Sequence, residues 1–130
     1  MLGSTKAFAG FAVDDLDAAR AFYADTLGIE IEEQMGGMIL ELQLADGERP
    51  VIIYPKPDHE PATFTVLNFP VDDIEATVDA LTAHGVELER YDGFDHDARG
   101  IAGGGEDGPR IAWFTDPAGN ILSVIEDAEG

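Results

Sequence analysis

The sequence of 130 residues contains no cysteine. This absence excludes disulfide bonds, thiolate metal sites and cysteine nucleophiles. The sequence also lacks any run approaching the roughly 18 to 20 apolar residues that span a membrane. Its start, MLGSTKAFAG, has neither the basic segment nor the long apolar core of a signal peptide. We therefore predict a soluble, cytoplasmic protein.

Basic residues are scarce, because seven Lys and Arg face 27 Asp and Glu and give a formal net charge of −20. A field of this sign repels phosphate groups, so we predict no nucleic-acid partner and no anionic membrane partner. The charge favours solubility. Only Lys6 and Lys56 are lysines, which fits adaptation to high salt but would also follow from biased codon usage.

The sequence repeats one pattern, AVDDLDAARAF and later PVDDIEATVDA, with Val13 and Val71 standing 58 positions apart. In both copies two aspartates follow a strand-like segment, and either aspartate can cap a helix. Apolar residues then recur at helical spacing until Gly28 or Gly85, where each helix should end. The predicted stripes are Leu16, Ala19, Tyr23 and Leu27 in the first copy and Ile74, Val78 and Leu81 in the second.

Strand-like segments surround both predicted helices. KAFAGFAV or TFTVLNFPV precedes each helix, IEIEEQ, MILELQL and PVIIYP follow the first, and VELERYD, RIAWFT and NILSVIE follow the second. Each half is therefore predicted as β-α-β-β-β, and the prolines of PKPDHEPA favour a linker between them. We predict an α+β fold in a single domain over 1–130, with modules at 6–56 and 62–127 and a linker at 57–61.

One helix covers only one face of a four-stranded sheet. Two modules side by side would form a curved, cup-like mixed sheet with helices outside and a concave face free for a ligand. Period-two alternation assigns side chains to that concave face. The predicted lining is mostly apolar and aromatic, and comprises Phe8, Gly10, Ala12, Ile39, Glu41, Gln43, Ile52, Tyr54, Val66, Asn68, Pro70, Ile111, Trp113, Thr115, Ile121, Ser123 and Ile125.

Five of these residues are predicted ligand contacts because of their chemistry. Trp113, Tyr54 and Phe8 would offer flat apolar surface for stacking an aromatic ligand, with core packing as the alternative. The lone tryptophan on an open concave face would have no opposing layer, which favours ligand contact. Asn68 and Gln43 would either orient a ligand or meet water.

Two residues are weak candidates for a general base. Glu41 would serve if it is desolvated beside aromatic groups, and its alternative is a solvated strand glutamate. His96 stands between two aspartates in GFDHDARGI. It would transfer protons on a mobile lid, or else belong to a solvated acidic loop.

The segments VDDLDAARAFYADTLGI, the second VDDI and the closing FTDPAGNILSVIE resemble the vicinal oxygen chelate superfamily. This superfamily contains glyoxalases, bleomycin-resistance proteins and extradiol dioxygenases, and the resemblance extends roughly over residues 7–126. It implies a glyoxalase-like fold, in which two modules form a cupped sheet, usually within a homodimer, with the ligand in the cup.

Metal-dependent members of that superfamily place His, Gln or Glu at one position on the first and fourth strands of each module. The resemblance assigns these positions to Phe8, Tyr54, Val66 and Ser123. Phe and Val offer no lone pair, whereas a divalent ion needs imidazole nitrogen or carboxylate oxygen. We therefore predict no metal and no cofactor, and keep Tyr54 and Ser123 as predicted ligand contacts.

Three functions follow as hypotheses. The leading one is metal-independent binding of a small aromatic molecule, of the bleomycin-resistance type that sequesters a drug or natural product. The second is a lyase or isomerase of the same fold with Glu41 or His96 as base. The third is a partner-binding module whose cup is filled by its own side chains.

Overall fold

A computed structural model describes residues 1–127 with the exception of the side chain of Asp107, so the last three residues of the predicted domain lie outside it. The chain divides into two compact units, Met1–His59 and Glu60–Gly130. The division falls within the proline-rich segment predicted as a linker. In the described part of the chain, no helix is both long and apolar enough to cross a membrane.

The first unit contains one four-stranded sheet and one helix. Its elements are β1 (Ala9–Val13), α1 (Leu16–Ala21), β2 (Ile31–Gln34), β3 (Ile39–Leu42) and β4 (Val51–Pro55). The strand order is β1-β4-β3-β2, with β1 and β4 parallel and the other neighbours antiparallel. The predicted β-α-β-β-β order is confirmed for this half.

The second unit contains a three-stranded sheet. Its elements are β5 (Thr65–Val71), α2 (Ile74–Ala83), β6 (Ile111–Thr115) and β7 (Ile121–Glu126). The strand order is β5-β7-β6, and β5 and β7 are parallel while β6 and β7 are antiparallel. Both units therefore pair their first and last strands in parallel. The chain has the predicted mixed α+β fold, with two small mixed sheets.

The predicted strand VELERYD is wrong, because this segment forms no strand in the described residues. Its only pairing is a single bridge from Glu89 to Trp113 on the outer edge of β6. Ala102 bridges to Ile111 on that same edge. Two separate segments share the edge, so a longer strand at 86–91 would compete with the pairing of Ala102.

Each helix begins at the second aspartate of its repeat. Asp15 Oδ1 accepts from the N–H of Ala18 at 3.1 Å, and Asp73 Oδ1 accepts from the N–H of Ala76 at 3.0 Å. The helical segments end before Gly28 and Gly85, at φ +70° and +86°. The predicted caps and stops are therefore confirmed, and the first helix differs only by finishing in a π-helical turn, Phe22–Thr26.

Each helix buries residues of its apolar stripe against the sheet of its own unit. In the first unit Ala19 and Tyr23 are buried while Leu16 and Leu27 are half-buried, and the ring centroid of Phe11 on β1 lies 6.1 Å from that of Tyr23. In the second unit α2 packs on β7, and Ile74, Val78 and Leu81 are all buried. The apolar residues buried on β6 and β7 alternate along the strands and comprise Ala112, Phe114, Leu122 and Val124, and Ser123 between the last two is buried as well.

The first strand is shorter than predicted and excludes Phe8. The register of β1 and β4 starts at the pair Ala9 and Val51. One step earlier, the residue preceding Val51 is Pro50, which has no N–H to extend the ladder. Phe8 consequently lies outside the strand, with 63% of its surface exposed.

We predict that Asp73→Ala lowers the free energy of unfolding by about 1 kcal/mol, because the N–H of Ala76 loses its acceptor. Asp72→Ala is the matched control: it removes the same charge one residue earlier, where no side-chain hydrogen bond exists within residues 1–127. The control should stay within about 0.5 kcal/mol of wild type. Urea unfolding measures both variants, and equal losses would contradict the assignment of the cap.

Candidate functional site

Three predicted ligand contacts form one row across the sheet of the second unit. Asn68 on β5 and Trp113 on β6 both lie opposite Ser123 on β7. Ser123 Oγ donates to Asn68 Oδ1 at 2.5 Å. Ser123 is fully buried, Trp113 is partly buried and Asn68 is exposed. We call this surface, defined by Asn68, Ser123 and Trp113, the Trp113 face.

Three rings from the preceding loop surround Trp113. The ring centroids of Tyr91, Phe94 and His96 lie 5.4, 5.1 and 6.0 Å from that of Trp113, in tilted or edge-on geometry. Burial raises the pKa of the Tyr91 hydroxyl above its usual value, and Glu89 raises it further. The premise that Trp113 has no opposing layer is therefore wrong, since its own loop supplies one.

His96 forms hydrogen bonds through both ring nitrogens to backbone groups of its own loop. The Tyr91 N–H donates to Nε2 at 3.1 Å. Nδ1 lies 2.9 Å from the carbonyl oxygen of Gly100, which can only accept, so Nδ1 carries the proton. The imidazole is thus neutral in this arrangement. Neither nitrogen is open to a substrate proton unless the loop moves.

Ion pairs anchor the loop to α2. Arg99 donates from Nε and Nη2 to the two carboxylate oxygens of Asp79, at 2.9 and 3.3 Å, and its Nη1 lies 3.4 Å from Glu75. The hydrogen bond from Arg99 lowers the pKa of Asp79, and the same bond raises the pKa of Arg99. Asp97 Oδ1 accepts from the N–H groups of Arg99 and Ile101, both at 2.9 Å.

Phe94 also borders a cavity of about 450 Å³ in the second unit. The cavity is lined by Gly93, Phe94, Asp95, Gly103, Pro109 and Ile111. Phe94 is 54% exposed, so its ring touches both Trp113 and open space. Sequence reasoning missed Tyr91 and Phe94, although two aromatic residues within five positions of His96 were an available signal.

The remaining predicted residues lie in the first unit. Tyr54 is 40% exposed at the end of β4. Gln43 Nε2 donates to the carbonyl oxygen of Glu41 at 3.2 Å, and Gln34 Nε2 donates to Glu41 Oε2 at 3.0 Å. Glu41 is half-buried and hydrogen-bonded within its own sheet, and its role as a base stays a prediction. Phe8 lies outside the strand.

The strand registers show which residues of the first unit occupy the positions that Asn68 and Ser123 occupy in the second. Gly10 precedes Asn68 by the 58 positions of the repeat, and Gly10 lies opposite Ile52. Ile52, two residues before Tyr54, is therefore the positional counterpart of Ser123. A Cβ on Gly10 would lie 2.6 Å from Cγ1 of Ile52, so a side chain there would require Ile52 to move. The first unit has no polar pair at this place.

The sequence profile of the glyoxalase/bleomycin resistance protein/dioxygenase superfamily matches residues 7–124. The chain belongs to this superfamily. No curated protein matches it.

Solved structures of this superfamily have the same fold. A glyoxalase/bleomycin resistance protein from Catenulispora acidiphila is 27% identical, with a TM-score of 0.66 over 95% of this chain and 99% of that one. An antibiotic binding protein from a Streptomyces species is 22% identical, with a TM-score of 0.67 over 96% of this chain and 98% of that one. A glyoxalase family protein from Bacillus anthracis is 19% identical, with a TM-score of 0.67 over 98% of this chain and 99% of that one.

The side chains of this superfamily member do not fit the divalent ion of metal-dependent relatives. Phe8 and Val66 have no lone pair, and the buried hydroxyl of Ser123 already donates to Asn68. Ile52, the counterpart of Ser123 by register, is apolar. Among the described side chains, no three of His, Asp or Glu are grouped to hold a metal ion.

We predict that His96→Ala opens the aromatic loop of this superfamily member. The loss of two hydrogen bonds should lower the free energy of unfolding by about 1 to 2 kcal/mol. Trp113 is the sole tryptophan, so its emission should shift to longer wavelength as water reaches the ring. His84→Ala, which removes a hydrogen bond to Ala80 at the end of α2, is the control. Unchanged emission in His96→Ala would contradict the role of His96.

Proposed function

We propose that this protein binds a small aromatic molecule on the Trp113 face, without a metal ion, and so sequesters a drug or natural product. The observation that carries the proposal is the position of Trp113. It lies at the centre of an aromatic cluster and in line with the polar pair Asn68 and Ser123. Ligand sites commonly combine such apolar surface with a few polar groups.

The aromatic cluster supplies geometry suited to a ring. Aromatic pairs are favourable at centroid distances of about 4.5 to 7 Å in offset or edge-on arrangement, and Trp113 already meets three rings in this range. Phe94 is the most accessible of the three, with 54% of its surface exposed. A planar ligand would contact the ring of Trp113, either in the place of the Phe94 ring or beside it.

The polar pair, Asn68 and Ser123, would fix the orientation of a bound ligand through a hydrogen bond. Because Ser123 donates to Asn68 Oδ1, that bond fixes which end of the amide faces Ser123 and leaves both N–H donors of the Asn68 nitrogen for a ligand. Within residues 1–127 that nitrogen has no protein partner. It would donate to a carbonyl or ether oxygen of the ligand. Ser123 thereby acts by positioning Asn68.

We also propose Tyr54, Gln43 and Phe8 as ligand contacts within the first unit, and a homodimeric state. It is supported by the solved structure of an antibiotic binding protein with the same fold. The hydrogen bonds that occupy His96 and Glu41 favour binding over turnover.

A thermal-shift screen of planar aromatic antibiotics and dyes, with EDTA present, tests this function. A ligand at 100 times its Kd should raise the unfolding midpoint by about 5 °C or more, since it binds only the native state. Trp113→Leu should weaken that binding about 30-fold, as expected when a central aromatic contact is lost.

Phe64→Leu is the matched control, because Phe64 is an exposed aromatic of the same unit, 67% accessible, and belongs to no ring cluster. Its ligand affinity should equal that of wild type. If binders require added divalent metal, or bind Trp113→Leu and wild type equally, the proposed function is wrong.

A further inference from the structure

A second cavity, of about 810 Å³, lies in the first unit where β1 and β4 begin. Its lining includes Lys6, Phe8, Glu48, Arg49 and Pro50. We call it the N-terminal groove. Its volume falls within the range of about 300 to 1,000 Å³ that is typical of small-molecule sites.

Four of the seven basic residues, Arg20, Lys56, Arg99 and Arg110, pair with carboxylates. Lys6 and Arg49, like Arg90 in the second unit, have no carboxylate oxygen within 4.0 Å among the described side chains, although the chain holds 27 acidic residues. Two cations without an ion-pair partner therefore line the same groove, which also includes Glu48.

A strained turn sets the position of Arg49. Ala45 and Asp46 have φ +51° and +56°, a left-handed conformation that is uncommon for residues other than glycine. The turn is closed by hydrogen bonds from the N–H of Glu48 to Ala45 and from the N–H of Arg49 to Leu44, both at 3.1 Å. It brings Arg49 to the same groove as the segment before β1.

Apolar surface lies beside these charges. Phe8 is 63% exposed, and Pro50 follows Arg49 directly. The groove thus joins two cations to one accessible aromatic ring. An arginine binds a carboxylate through two parallel hydrogen bonds, and lysine adds a point charge.

We propose that the N-terminal groove binds a small aromatic acid, with its carboxylate between Arg49 and Lys6 and its ring against Phe8. The net charge of −20 repels anions from most of the surface, whereas two cations lining one groove attract an anion to it. The site lies in the first unit; it includes Phe8, a ligand contact proposed above, and none of its lining residues belongs to the Trp113 face.

Isothermal titration calorimetry with 1-naphthoate and the uncharged 1-naphthamide tests the proposal on the full chain. Wild type should bind the acid about tenfold or more tightly than the amide. Lys6→Gln combined with Arg49→Gln should weaken acid binding about tenfold and leave amide binding unchanged. Both residues are exposed, so the variant should unfold at the wild-type midpoint.

Lys56→Gln combined with Arg90→Gln is the control, because it removes the same two charges away from the groove. Its affinity for 1-naphthoate should match wild type. Trp113→Leu should also bind the acid normally, which separates this site from the Trp113 face. No acid binding by wild type, equal affinity for acid and amide, or full affinity in the groove variant would overturn the proposal.

Discussion

The parallel pairing of the first and last strands within each unit is the constraint on which the rest of the structure depends. Parallel strands cannot be joined by a tight turn, so the chain must leave and return through a helix and further structure. In the second unit this pairing places Asn68 beside Ser123, and β6 adds Trp113 to the same row. In the first unit it places Gly10 beside Ile52. One duplicated scaffold thus carries a polar and aromatic row in one half and an apolar, tightly packed row in the other.

Features that depend on neighbouring residues were predictable from the sequence, and features that depend on distant pairing were less so. The caps follow from contacts three residues apart, which is why the repeated aspartate pairs identified both helix starts. Phe8 is excluded from its strand by Pro50, which stands some forty positions later. The segment before Tyr91 is no strand because Ala102 occupies part of the same β6 edge. Neither the effect of Pro50 on the first strand nor that of Ala102 on the β6 edge can be recognised from the residues next to the affected segment.

In the candidate site, too, strand residues were predictable from the sequence and loop residues were not. Period-two alternation placed Asn68, Trp113 and Ser123 on one face, and the registers join them in one row. The rings of Tyr91 and Phe94 come from a loop, where no periodicity reports which side chains point inward. His96 was predicted to act as a general base or to lie in a solvated loop. Its two hydrogen bonds instead connect Tyr91 to Gly100 and hold the loop together. Its place in sequence, between aspartates, gives no sign of the Tyr91 and Gly100 partners.

We propose that this superfamily member binds its ligand on an aromatic surface and without the ion that metal-dependent relatives use. NMR of ¹⁵N-labelled, EDTA-treated protein can follow the indole N–H resonance of Trp113, the sole tryptophan, during titration with planar aromatic antibiotics. We expect a saturable shift of that resonance in metal-free protein. A resonance that stays fixed while ligand binds, or that moves only after a divalent ion is restored, would contradict binding on the Trp113 face.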